Sequence, residues 1–145
     1  MFQRILLVCI GNICRSPVAE AMLRTRLPER EFSSAGLGAL VGRGADPTAR
    51  ALAETEGFDV SQHQARQLTP AILQGADLIL VMSDGQRRAV ADIEPAAMGK
   101  TMLLGRWLDG GKGREIPDPY GKSREAFEHA HQLIKDATEA WTAKL

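Results

Sequence analysis

The residues able to do chemistry gather in one run, Cys9-Ile10-Gly11-Asn12-Ile13-Cys14-Arg15-Ser16. A cysteine followed after five residues by Arg-Ser, between an apolar strand and a helix, suits a tetrahedral oxyanion. Backbone N–H groups in a tight loop converge into an anion-binding nest. The start of the following helix adds unsatisfied donors and partial positive charge. Arg15 offers a planar fork matched to two phosphate oxygens, and Gly11 is expected to let the backbone turn where a side chain would obstruct. The same donors favour an anionic sulfur at Cys9. A thiolate beneath a bound phosphate is placed for in-line attack on phosphorus. Ser16 is read in two ways: as a hydrogen-bond donor that eases the sulfur's departure when a phosphoenzyme breaks down, and as the N-cap ahead of Pro17. Taken alone, Cys9 reads as a buried strand-end cysteine, and only the spacing to Arg15-Ser16 argues otherwise. Cys14 has two compatible readings, a filler of the loop interior or a resolving thiol that traps oxidised Cys9 as a disulfide.

Phosphate-ester cleavage releases an alkoxide or phenoxide, so a proton donor is needed, and the loop has none. Ile116-Pro117-Asp118-Pro119-Tyr120 supplies one. Two prolines stiffen the backbone around a single carboxylate, and a stiff frame positions an acid well. Asp118 would protonate the leaving oxygen and then deprotonate the attacking water. Taken alone, an Asp between prolines reads as a turn. Tyr120 is either a wall for an aryl ring or a partly exposed turn aromatic.

Alternating strands and helices must position these groups. Ile5–Val8 is continuous, branched and apolar, as in a strand buried on both faces. The helix after Ser16 carries Val18, Ala19, Met22 and Leu23 on one face and ends near Leu27-Pro28. Glu31–Ser34 is a short second strand, followed by a loop bearing Gly36, Gly38, Gly42 and Gly44. Asp46-Pro47 and Thr69-Pro70 open further helices, closed by Gly57 and Gly75. Asp77–Met82 is a third strand, Ser83 starts a helix stopped by Pro95, and Thr101–Leu104 is a fourth strand. Gly110, Gly111 and Gly113 precede the acid segment. A last helix from about Ser123 places Phe127, Ala130, Leu133, Ile134, Ala137 and Trp141 on one stripe. Such alternation implies an α/β fold with a parallel sheet and right-handed crossovers. Ligands then sit beyond the C-terminal strand ends, where the Cys9 loop lies.

Composition narrows the partners. The 145 residues fit one domain, 1–145, large enough for its own core. Lys plus Arg equals Asp plus Glu at 18 each, which argues against a nucleic-acid binder. Two closely spaced cysteines build no disulfide framework, and a reducing, cytoplasmic setting is expected. The run Ile5–Ile10 is too short for a secretion signal, and nothing approaches the roughly 20 apolar residues of a membrane span. No Gly-Lys-Ser/Thr ending marks a nucleotide loop, and no dinucleotide fingerprint is present.

Val8-Cys9-Ile10-Gly11-Asn12-Ile13-Cys14-Arg15-Ser16-Pro17 with a distant Asp118-Pro119-Tyr120 resembles the low-molecular-weight protein tyrosine phosphatases over essentially the whole chain. Here the cysteine precedes the acid, unlike the order in larger tyrosine phosphatases. Ser34–Leu40 and Ile116–Tyr120 resemble the bacterial branch that accompanies tyrosine autokinases in capsule and exopolysaccharide production. The resemblance implies a four-stranded parallel sheet of order 2-1-3-4, flanked by helices on both faces in a phosphatase-I-like three-layer sandwich. It implies a phosphocysteine intermediate, no metal or other cofactor, and a phosphotyrosine protein substrate, a membrane tyrosine autokinase. It also implies that Asn12, Ser16, Ser34 and His63 form a hydrogen-bond network shaping the loop, and that Leu40 and Tyr120 wall the substrate. Gly121 stands where many eukaryotic members have a second aromatic, and Leu40 where they often have one, so the wall is expected to be lower. No membrane insertion is expected, and a monomer is the default. Two alternatives are weighed. Arsenate reductases share the loop but relay a disulfide through further cysteines, and none follows Cys14. A phosphocarrier that used Cys9 without turnover would need no acid, and Asp118 in its stiff frame argues against it.

Overall fold

Four strand segments, two of them continuous apolar runs, form one parallel sheet. The computed structural model describes residues 2–145. In it, β1 (Arg4–Cys9) lies between β2 (Glu31–Gly36) and β3 (Leu78–Val81), and β4 (Thr101–Leu103) pairs with the far edge of β3. All pairings are parallel and the order is β2-β1-β3-β4, as the resemblance implied. Strand limits shift a little from the sequence expectation. β2 runs on to Gly36 because Gly36 pairs with Cys9, whereas Leu104 leaves the sheet for a 3-10 turn, Leu104–Trp107.

The period of two along each strand divides the core. Ile5, Leu7, Cys9, Leu78 and Leu80 face one layer, made by α1 (Arg15–Arg26), α2 (Pro47–Thr55) and α5 (Arg124–Lys144). Leu6, Val8, Ala35, Ile79 and Val81 face the other, where α3 (Pro70–Gln74) contributes Leu73 and α4 (Asp84–Ile93) contributes Val90. Both faces are covered, which is why these strands read as continuous apolar runs. The stripe expected on the last helix is buried throughout, from Phe127 to Trp141. Trp141 Nε1 also donates to the Leu104 carbonyl at 2.7 Å, pinning α5 to the end of β4.

Helix starts follow local side-chain chemistry with one exception. The carboxylate of Asp46 accepts from the N–H groups of Thr48 and Ala49 at the start of α2. Thr69, Ser83 and Ser123 cap α3, α4 and α5 in the same way. α1 begins after Cys14 with no side-chain cap. Ser16, expected as its N-cap, lies inside the helix instead. Its hydroxyl is directed at Cys9 and Asn12, so it cannot serve the helix N–H groups.

Candidate active site

The loop between β1 and α1 is built around Asn12. This residue adopts φ +57°, the left-handed region that Asn enters more readily than most side chains. Gly11, expected to provide the turn, has no positive φ, and a Cβ there would meet Ile13 Cγ1 at 3.7 Å, an ordinary contact. The glycine that the loop does require is Gly36. A Cβ at that position would stand 2.5 Å from the Ile10 carbonyl oxygen, because the end of β2 runs directly beneath the loop.

Asn12 is fully buried and every polar atom of its side chain is used. Its Nδ2 donates to Ser16 Oγ at 2.8 Å and to Ser34 Oγ at 3.0 Å, and its Oδ1 accepts from the Arg66 N–H at 2.9 Å. Its backbone carbonyl accepts from His63 Nε2 at 2.5 Å. Burial pushes the His63 imidazole below its ordinary range, and the Asn12 carbonyl opposes that shift. Cys9 Sγ lies 2.9 Å from Ser16 Oγ. That oxygen also accepts from Asn12 Nδ2, so Ser16 links the sulfur to the buried amide.

Arg15 is 4% exposed. Its Nη1 donates to the Ile116 carbonyl at 2.8 Å, and its Nη2 stands 3.7 Å from Asp118 Oδ2. Its Nε is buried with no protein acceptor, which is unusual for so strong a donor. The Asp118 carboxylate is 45% exposed, and its Oδ1 accepts from the Tyr120 N–H at 3.1 Å. The acid segment is held at its start: Ile116 N–H donates to the Met82 carbonyl at 2.9 Å, and the Glu115 carboxylate just before it accepts from the Asp84 N–H at 2.9 Å. Cys14 is buried, and burial above all, followed by the Asp46 carboxylate, pushes its thiol up to about 12. Arg15 opposes that shift. At neutral pH Cys14 is thus a neutral group filling the loop interior.

The tertiary structure sorts the sequence candidates into two shells. Cys9, Ile10, Gly11, Ile13, Cys14, Arg15, Leu40, Asp118 and Tyr120 line a cleft of about 140 Å³. Asn12, Ser16, Ser34 and His63 stand behind it and do not line it. Larger hollows of about 460 and 600 Å³ occur elsewhere, but neither contains Cys9, Arg15 or Asp118. Arg66 and Gln67 were missed in the sequence. Arg66 supports Asn12 by its N–H and Ser34 by Nε, and Gln67 bonds the backbone at Leu37 and Ala39. Both lie in an irregular segment with no local signal, and their partners are remote in the chain. Among the described residues no cluster of His, Cys, Asp and Glu is arranged to hold a metal ion.

The fold and this loop define an α/β protein whose junction between first strand and first helix sets a buried cysteine and arginine in one cleft. The family model described as "Low molecular weight phosphotyrosine protein phosphatase" matches residues 4–145, and the chain belongs to that enzyme family. It is 46% identical to the low molecular weight protein-tyrosine-phosphatase Wzb of Salmonella typhimurium, over all of this chain and 95% of the relative. It is equally 46% identical to the probable low molecular weight protein-tyrosine-phosphatase AmsI of Erwinia amylovora, over all of this chain and 99% of that protein. The solved structure of Vibrio vulnificus Wzb in complex with benzylphosphonate superposes with a TM-score of 0.96 at 47% identity, with both chains fully covered.

Proposed function

We propose that this chain hydrolyses phosphotyrosine in proteins through a cysteinyl-phosphate intermediate, with Cys9 as nucleophile, Arg15 as phosphate clamp and Asp118 as general acid. The observation that carries this reading is the buried Arg15 guanidinium. Its Nε lacks a protein acceptor, and it shares a cleft with the Cys9 sulfur and the Asp118 carboxylate at the one α-helix start, among the described residues, that no side chain caps.

In the first step the Cys9 thiolate attacks phosphorus, the P–O bond to the tyrosyl oxygen breaks, and Asp118 gives its proton to the departing phenoxide. The Arg15 fork and the loop N–H groups take up charge on the equatorial oxygens. In the second step the Asp118 carboxylate takes a proton from water as that water attacks phosphorus. The P–S bond breaks, phosphate leaves, and the Ser16 hydroxyl stabilises the returning sulfur anion. Leu40 and Tyr120 flank an aryl ring, and a ligand of aryl type, benzylphosphonate, is named in the Vibrio vulnificus structure.

The likeness to Wzb and AmsI proteins supports a narrower assignment. The substrate is a membrane tyrosine autokinase of exopolysaccharide or capsule production, met in the cytoplasm by a single-domain monomer. Both cysteines are free, and among the described residues no helix is long and apolar enough to cross a membrane.

Hydrolysis of p-nitrophenyl phosphate and of phosphotyrosine peptides tests the proposal. Wild type should turn over, and Cys9→Ser should show none; turnover by Cys9→Ser at the wild-type rate refutes the mechanism. Asp118→Asn should slow phenyl phosphate by about 10²- to 10⁴-fold and p-nitrophenyl phosphate much less, since nitrophenoxide leaves without a proton. Equal slowing of both would remove Asp118 from the acid role.

A further inference from the structure

A second groove, of about 520 Å³, adjoins the cleft. The two share Ile10, Arg15 and Asp118, so Ile10 forms the crest between them. Ile10 is 44% exposed, although it directly follows the buried Cys9. Beyond the crest the groove is lined mainly by aliphatic groups: Leu37 after β2, Ile116 and Pro117 of the acid segment, and Ala89 of α4.

We propose that this groove is a subsite for an aliphatic side chain of the phosphoprotein, within about three residues of the phosphotyrosine, given the roughly 3.3 Å rise per residue of an extended chain. The inference rests on the phosphatase reading and adds the chemistry of the residues beside the reacting one. With the phosphoryl group held by Cys9 and Arg15, the tyrosine emerges at the cleft mouth, and a chain leaving it on the Ile10 side crosses into the groove. An extended chain alternates its side chains, so a near neighbour of the tyrosine points down onto Leu37, Ala89 and Pro117.

Several polar atoms around the groove are already engaged. Gln86 Oε1 accepts from the Met82 N–H at 2.9 Å, Ser83 Oγ accepts from the Gln86 N–H at 3.2 Å, and a Glu115 carboxylate oxygen accepts from the Asp84 N–H at 2.9 Å. Beside the Glu115 and Asp118 carboxylates, apolar surface is left to meet a guest, and its removal from water is favourable. The Glu115 and Asp118 carboxylates line the same groove and oppose an acidic side chain.

Phosphotyrosine peptides carrying Leu, Ala or Asp singly at each position from three before to three after the phosphotyrosine test the proposal, with p-nitrophenyl phosphate as a substrate too small to reach the groove. Wild type should favour Leu over Asp at one or more of these positions by about tenfold in kcat/KM, the low end of what an apolar pocket discriminates. Ala89→Arg should erase or reverse that preference by giving an acidic side chain a partner, while p-nitrophenyl phosphate turnover is unchanged. A flat wild-type profile overturns the subsite, and so does a preference that Ala89→Arg leaves intact. The wild-type series decides by itself if the variant fails to fold. Failure to hydrolyse p-nitrophenyl phosphate or any peptide would instead sink the phosphatase reading.

Discussion

At Arg15 the guanidinium divides its nitrogens between two tasks. Nη1 donates to the Ile116 carbonyl at 2.8 Å, two residues before the acid, while Nε is buried and aimed at no protein acceptor. A lysine cannot do both, because its ammonium is a point charge without a planar fork. Arg15→Lys should therefore lower kcat on p-nitrophenyl phosphate by about 10²- to 10³-fold, the range seen when an oxyanion donor is lost. It should also steepen the dependence of rate on leaving-group pKa, because the acid segment loses this tie and Asp118 protonates the phenoxide less well. Steady-state rates on a series of aryl phosphates measure both effects, and an intact leaving-group slope would show that the Ile116 contact does not position the acid. The sequence made Arg15 the candidate for binding phosphate. It did not show that the same side chain braces the acid, since that contact joins positions far apart in the chain.

At the level of elements, the loop is a strand-to-helix junction resting on the end of a neighbouring strand. Gly36 makes that close approach possible. Replacing it with alanine would place a Cβ 2.5 Å from the Ile10 carbonyl oxygen, with Asn12 Cβ at 3.0 Å, so the loop must shift. Gly36→Ala should lose most activity and about 1–3 kcal/mol of stability, as overpacked sites do. Gly99→Ala is the matched control, having no neighbour within 4 Å of its Cβ, and should behave as wild type. Denaturant unfolding and kcat separate the two. Helix caps at Asp46, Thr69, Ser83 and Ser123 were legible because a cap and its helix are adjacent in sequence. Ser16 misled for a related reason: its type and its place before Pro17 satisfy the cap pattern, but tertiary partners at Cys9 and Asn12 claim the hydroxyl.

Across the whole molecule, the layer that carries α1 is locked to the far end of the chain. Glu56, just after α2, accepts hydrogen bonds from His131 Nε2 and, at 2.5 Å, from Lys135 Nζ, both on α5. Those bonds, Lys135 first, hold the Glu56 carboxyl below its ordinary value. A depressed carboxyl binds fewer protons in the folded state. Its stabilising contribution is therefore full above the ordinary glutamate value of about 4.3 and is lost as pH falls through the lowered one. His63 acts in the same direction. Its imidazole is held below the usual range of about 6.5, so acid favours the unfolded chain, where it protonates freely. The melting temperature should fall on acidification below about pH 6.5, and further through the carboxylate range. Glu56→Gln should flatten only the lower part of that curve, and an unaltered curve would show that the Glu56 clamp adds nothing. At this scale the strand and helix alternation, the two-sided core and the stripe on α5 were visible in the sequence, because each follows from periodicity within one element.

The amino-acid sequence by itself determined the candidate loop from Cys9 to Ser16 and the proline-framed Asp118, since each is a contiguous segment whose residue types act on their own backbone. Only the tertiary structure decided that Asn12 takes the left-handed turn, that Ser34, His63 and Arg66 support it, that Gly36 must be bare, and that Ile10 crests between a small cleft and an aliphatic groove. These are contacts between segments that meet only when the sheet closes, and no local pattern encodes them.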